Sequence, residues 1–265
     1  MTRNTILAMI FVFVAGLAAC TGQKSDSSKF RKGWTLTWED DFDGKTAFTE
    51  WSKISRGTDP MSRYMSHNDA LFVLEDDLLI LRGVENSGNN SQIPFLTGGI
   101  TREGMKKNNV SRIEVRARVN PVSGAVPFIS LQPSDGSGGV VIDIMERYGY
   151  DEFIYQSVSS QYTTTEGMPD NPPSSALVGV NPSQFHTYGV ESYPDSIVFF
   201  VDNNRTKKYP KILTDIPGQF PFNEVDLDLF IGIRLNKDTE VSELPADLFI
   251  DWVRYYEPEI TGTAQ

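Results

Sequence analysis

The sequence predicts an all-β sandwich or jelly roll, and three observations carry that expectation. Apolar residues recur mostly with period two and not with the helical period of about 3.6. The 21 glycines and 15 prolines are spread along the chain as turn punctuation. No segment holds a helical pattern for more than about three turns. Many short strands with regular turns fit two stacked sheets.

The first segment stands apart from that fold. In "MTRNTILAMIFVFVAGLAAC", Arg3 supplies a positive start and Ile6 to Leu17 form an apolar run. That run is too short to cross a bilayer with margin. It leads through small residues to "LAAC", Leu17 to Cys20. The order resembles a bacterial lipoprotein signal, in which residues 1–19 are removed and Cys20 carries the lipid. The expected location is the bacterial cell envelope, with the chain lipid-anchored at the outer membrane. Cys20 is the only cysteine, so the exported domain holds no disulfide and rests on its core. The following "TGQKSDSSKFRKG" is polar and reads as a tether. The expected layout is a signal over 1–19, lipidated cysteine and tether over 20–32, one domain over 33–258 and a tail over 259–265.

Roughly 230 residues remain after the signal and tether, a size that fits one all-β domain. Hydrophobic content is 39% and aromatic content 11%, enough for a sizeable core, and the formal net charge is −11. No basic stripe exists, which excludes nucleic acid as the expected partner. The acidic balance also argues against polyanionic substrates over the surface as a whole, although a local cleft is free to differ.

The strands follow in order. "LFVLEDDLLILRG" (71–83) reads as two strands around an acidic turn. "RIEVRARVN" (112–120) alternates apolar and charged residues, as does "IDWVRYYEP" (250–258). "HTYGVESYPDSIVFFVDNNR" (186–205) reads as a hairpin turning at Pro194 and Asp195, and "LDLFIGIRL" (227–235) as a further strand.

The chemistry concentrates in "GGVVIDIMERYG" (138–149). In an ideal strand Val141, Asp143 and Met145 share one face and Glu146 lies on the other. One extra residue in a β-bulge returns Glu146 to the face of Asp143. Retaining glycosidases need two carboxyl groups about 5–5.5 Å apart, one a nucleophile and one an acid/base. An E-x-D-x-x-E strand supplies them with its glutamates, and its aspartate supports the nucleophile. Here the first glutamate position holds Val141, which can neither attack carbon nor carry charge. Tyr148, Tyr150 and Phe128 flank the expected cleft and offer faces for stacking on sugars. His67 and His186 are the only histidines, and neither has metal-ligand spacing. No nucleotide loop, Ser/His pair or zinc motif occurs.

At these residues the sequence resembles glycoside hydrolase family 16, which includes laminarinases, lichenases, agarases and carrageenases. "WTLTWEDDFDG" (34–44) is similar to the family's opening strand. "TGGITREG" (97–104) with "SRIEVRARV" (111–119) is similar to the strand pair before the active site, and "IDIMERYG" to the catalytic strand. "FHTYGVESYPDSIVFFVDN" (185–203) and "LPADLFIDWVRYYEP" (244–258) are similar to the late hairpin and closing strand. The resemblance implies a concanavalin A-like β-jelly roll of two curved antiparallel sheets with a glycan cleft on the concave face. It implies Glu146 as acid/base, Asp143 as its companion and a polysaccharide or oligosaccharide as partner. Asp251 matches a position that contributes to a structural calcium in some members, while no cofactor is required for the chemistry.

Four departures stand against the family pattern. Val141 replaces the nucleophile. The segment 124–139 carries no tryptophan, "FIYQSVSSQY" (153–162) lacks a histidine, and Ser192 stands at a usual tryptophan position. Three readings follow: a degenerate glycosidase that binds a β-linked polysaccharide, a residual hydrolase using Glu146 and another carboxylate, or a non-catalytic structural component of an outer-membrane complex.

Overall fold

A computed structural model of the chain describes residues 29–44, 49–88, 92–106, 110–133, 139–168 and 170–260. The expected signal over 1–19, the lipidated Cys20 and most of the tether lie outside the described residues, as does most of the tail. Arg31–Gln265 forms one compact unit.

Among the described residues, period-two patterning resolves into sixteen strands. Seven belong to one sheet: β2 (Ser52–Lys53), β6 (Gly99–Lys106), β8 (Ala125–Pro133), β9 (Val141–Glu146), β10 (Phe153–Ser159), β11 (Ser175–Gly179) and β15 (Leu227–Leu235). Its spatial order is β11-β10-β9-β8-β15-β6-β2. The second sheet holds β1 (Trp34–Asp40), β3 (Phe72–Glu75), β4 (Leu78–Glu85), β5 (Phe95–Thr97), β7 (Ser111–Val119), β12 (His186–Tyr193), β13 (Ser196–Val201), β14 (Asn204–Pro210) and β16 (Ala246–Pro258). Its main path runs β14-β13-β12-β7-β16-β4-β3, with β1 on β16 and β5 on β4. All these strand pairings are antiparallel. The fold is therefore the expected all-β one, and the single α-helix among the described residues is one turn, Gln161–Thr164.

Turn chemistry sets the hairpins. Asp76 and Asp77 join β3 to β4 with φ of 52° and 55°. Asp202 and Asn203 join β13 to β14 with φ of 49° and 64°. Two successive left-handed residues match the right-handed twist of the flanking strands, and short polar side chains tolerate them best.

The core lies between the sheets. Ile142, Ile144, Met145, Leu229, Ile231 and Ile233 come from the seven-stranded sheet; Ile113, Val115, Ala117, Val119, Leu248 and Ile250 come from its partner. Full burial of each such aliphatic side chain contributes about 1.5–3 kcal/mol, and chain entropy opposes the sum.

The alternation of "RIEVRARV" has an unexpected consequence. Its charged row faces away from the core, where water ordinarily solvates such a row, yet Arg112 and Glu114 are buried. Arg31 clamps Glu114 with two parallel bonds, Nε to Oε1 at 2.7 Å and Nη2 to Oε2 at 2.8 Å. Arg112 also donates to Glu114 and ion-pairs with Glu191, which accepts a further bond from the Tyr193 hydroxyl at 2.7 Å. A buried carboxylate is tolerated only when several donors replace its water. This network gives β7 and β12 a fixed outer face without an apolar cover.

Candidate active site

The site is built on β9 and its neighbours. Asp143 sits opposite Ser130 of β8 and Ser157 of β10, while Glu146 sits opposite Phe128 and Tyr155. Three steps along β9 thus match two steps along each neighbour, and the register shifts at both ladders. The extra residue lies within the consecutive pair Ile144 and Met145, both fully buried. A regular strand would turn the two to opposite faces; the bulge sends both into the core cluster between the sheets. It thereby places Asp143 and Glu146 together on the face turned away from the core.

Glu146 has both carboxyl oxygens engaged. Oε1 ion-pairs with Arg234 of β15, and Oε2 accepts the Tyr148 hydroxyl at 3.0 Å. Burial and the Glu146 charge push the Tyr148 phenol up to about 12, so it stays a donor at neutral pH. Asp143 accepts the Ser157 hydroxyl at 2.8 Å through Oδ2. Burial first, and the charge of Glu146 second, push the Asp143 carboxyl up to about 7; Ser157 and Arg234 pull it the other way.

Val141 opens β9 opposite Ser159 and shares the face of Asp143 by alternation. On β8 the nearest position is Gln132, one step beyond the Leu131–Ile142 pair. Gln132 donates to the Ser130 hydroxyl at 2.8 Å. Ser159 and Gln132, which border Val141 on the neighbouring strands, are therefore neutral, and neither β8 nor β10 carries a carboxylate.

The remaining expected residues divide. Tyr148 is exposed beside Glu146 and meets Tyr155 edge-on, with ring centroids 5.0 Å apart. Tyr150 is also exposed, but its hydroxyl bonds to Glu243 and not to either β9 carboxylate. Phe128 is a correction. It points to the face carrying Glu146 yet has no exposed surface, so it offers no ring to a sugar. A Cβ on Gly232 would stand 3.0 Å from Phe128 Cζ and 3.1 Å from Gly99 Cα. These two glycines leave a trough for the ring, and Ile54 and Met65 pack with it. Asp251 sits where the β16–β7 register shifts and ion-pairs with Arg116 at 3.0 Å. Among the described residues no group of three or more His, Cys, Asp or Glu side chains gathers as metal ligands.

Sequence reasoning missed Arg234, Tyr155, Phe153 and Ser157. Phe153 and Tyr155 pack edge-on at 5.4 Å and extend the aromatic wall from Tyr148. Alternation in "FIYQSVS" places Phe153, Tyr155 and Ser157 on one face, and that was the available signal. The seven-stranded sheet therefore presents a carboxylate pair, a guanidinium and an aromatic wall. These groups can hold sugar hydroxyls and stack on a sugar ring.

Comparison with known proteins agrees with this architecture. The model for glycosyl hydrolases family 16 matches residues 92–254. A keratan-sulfate endo-1,4-beta-galactosidase of Sphingobacterium multivorum is 25% identical over 236 residues, covering 84% of this chain. The chain spans 55% of that relative's length. A beta-glucanase of Rhodothermus marinus is 23% identical over 263 residues, covering 91% of each chain. The solved laminarinase of Rhodothermus marinus superposes with a TM-score of 0.71 at 20% identity, over 85% of this chain and 98% of that one. This likeness establishes the β-jelly roll.

The elevated Asp143 carboxyl predicts a pH signature. In the folded chain Asp143 holds its proton up to about pH 7, whereas an unfolded aspartate releases it near about 3.9. Between those values the folded state binds more protons, so stability falls as pH rises, by up to about 1.4 kcal/mol per pH unit. Asp143→Asn removes that slope. In urea titrations the stability of the variant relative to wild type should climb from pH 4 to pH 7 and level off above. A difference that stays constant with pH would refute the assignment.

Proposed function

Because the chain belongs to glycosyl hydrolases family 16, we propose that it binds a β-linked polysaccharide across the face carrying Glu146 and Tyr148, without cleaving it by double displacement. The supporting observation is Val141 at the nucleophile position between the neutral Ser159 and Gln132. Glu146, with one oxygen on Arg234 and the other on Tyr148, is positioned as an acceptor for sugar hydroxyls. The relatives' names direct the choice of ligands toward β-glucans and keratan sulfate.

Binding by a few hydrogen bonds and one aromatic wall gives Kd on the order of 0.1–1 mM, or roughly −4 to −5.5 kcal/mol. Calorimetry with oligosaccharides of laminarin, lichenan, agarose, carrageenan and keratan sulfate should find one such ligand. Glu146→Ala with Tyr148→Ala should abolish that heat, and reducing-sugar assays of wild type should stay at background. Val141→Glu should create hydrolysis of the same glycan, because loss of a nucleophile costs several orders of magnitude in rate. Absence of any glycan binding would instead favour a structural component of an envelope complex.

A second reading rests on Asp143. A carboxyl that keeps its proton near pH 7 suits a general acid, so residual hydrolysis would run through Asp143. Wild-type turnover that Asp143→Asn eliminates would establish this reading over the first.

The membrane is the other partner proposed. Lipidation of Cys20 after "LAA" would hold the chain at the envelope, at the outer membrane, since acyl chains supply the anchoring energy. Cys20→Ala should move the protein from the membrane fraction to the soluble fraction and abolish fatty-acid labelling. A wild-type chain that is unlabelled and freely soluble would exclude the anchor.

A further inference from the structure

A second pocket lies at one end of the sandwich, beside the chain segment that carries Glu146. Its volume is about 580 Å³. Pro121 after β7, Tyr150 and Asp151 between β9 and β10, and Asn181 and Ser183 between β11 and β12 contribute to its lining. Alternation makes Arg147 the inward neighbour of Glu146 and Tyr148, and Arg147 lines this pocket too.

Arg147 is only 4% exposed. A guanidinium carries five N–H donors. Nε donates to the Asp151 carbonyl at 2.9 Å. The chain gives the other donors no acceptor among the described residues, and Arg147 makes no ion pair there. The Asp151 carboxylate, which attracts Arg147, accepts the Tyr155 hydroxyl at 3.4 Å, and Glu152 at the rim is exposed. Burial outweighs the attraction of Asp151 and Tyr188, and pulls Arg147 below the ordinary arginine range. The fully buried Tyr188 attracts Arg147 electrostatically but does not line the pocket, and its hydroxyl has no hydrogen-bond partner among the described residues.

Buried cations are ordinarily paired, and buried donors are ordinarily satisfied. The equally buried Arg112 follows that rule, held by Glu114 and Glu191. Arg147 differs in having no ion pair among the described residues, and its terminal nitrogens stay open to the pocket, where an acceptor can reach them. We propose that this pocket is a binding site for an oxyanion, a carboxylate or sulfate group, with Arg147 as the receiving cation. The planar fork of arginine fits such a group with two parallel hydrogen bonds. The volume also admits the sugar that would carry it, with Asn181 and Ser183 available for hydroxyls. The site stands on its own geometry and does not depend on glycan binding by the sheet face.

The test uses the full chain. Thermal unfolding and calorimetry are run with sodium sulfate, galacturonate and galactose 6-sulfate, against galactose and sodium chloride at matched ionic strength. The Arg147 guanidinium resonances are followed by NMR in wild type, which requires no variant to fold. Sulfate or the acidic sugars should raise the Tm above the chloride control and shift those resonances, while galactose does neither. Tighter binding of the acidic sugars than of sulfate would identify a glycan substituent as the source; the reverse order would identify a free anion. Arg147→Met, which keeps the stem, should weaken binding about ten- to a hundredfold. Unmoved guanidinium resonances, equal effects of chloride and sulfate, or full affinity in a folded Arg147→Met protein would each overturn the proposal.

Discussion

The site depends on the burial of two consecutive apolar side chains. Ile144 and Met145 both join the core cluster between the sheets, whereas a regular strand turns consecutive side chains to opposite faces. The strand answers with one extra residue, and the register of β9 against β8 and β10 shifts accordingly. Without that shift Asp143 and Glu146 would occupy opposite faces, and one carboxylate would point into hydrocarbon. The hydrophobic term therefore decides where the charges stand. Once they stand together, their environments separate them: Glu146 meets a guanidinium and a phenol, whereas Asp143 has one hydroxyl and deep burial.

That separation bears on function. Double displacement requires a carboxylate free to attack and another free to exchange a proton. In the reading proposed above Val141 stands where the first would be, while Glu146 keeps one contact on each oxygen, to Arg234 and to Tyr148. The same contacts that restrain Glu146 chemically fix it as a hydrogen-bond acceptor on a wall completed by Tyr155 and Phe153. The jelly roll shared with solved laminarinases thus presents a polar, aromatic face in this chain, with Val141 at the start of β9. The next residue, Arg147, is buried and lines the end pocket, so adjacent positions of one segment border the sheet face and that pocket.

Local patterning made much of the fold legible. "LFVLEDDLLILRG" gives two strands because its apolar residues flank two aspartates that tolerate left-handed turns. The face shared by Asp143 and Glu146 was readable from the apolar pair between them. Phe128 was misread because its cover comes from Gly99, Gly232, Ile54 and Met65, which are distant in sequence and meet only through strand order. Arg234 escaped notice for the same reason: alternation gives its face, but not that β15 lies beside β8. The burial of Arg112 and Glu114 was equally hidden, since Arg31 and Glu191 reach them from separate segments.

The central claim is that this face holds a sugar without a group able to bond to it covalently. Intact-mass spectrometry after incubation with an activated 2-deoxy-2-fluoro glycoside of the bound sugar tests it most directly. Wild type should keep its unmodified mass, while the Val141→Glu variant should gain one glycosyl mass, mapped to position 141. A glycosyl adduct on Asp143 or Glu146 of the wild-type chain would contradict the account.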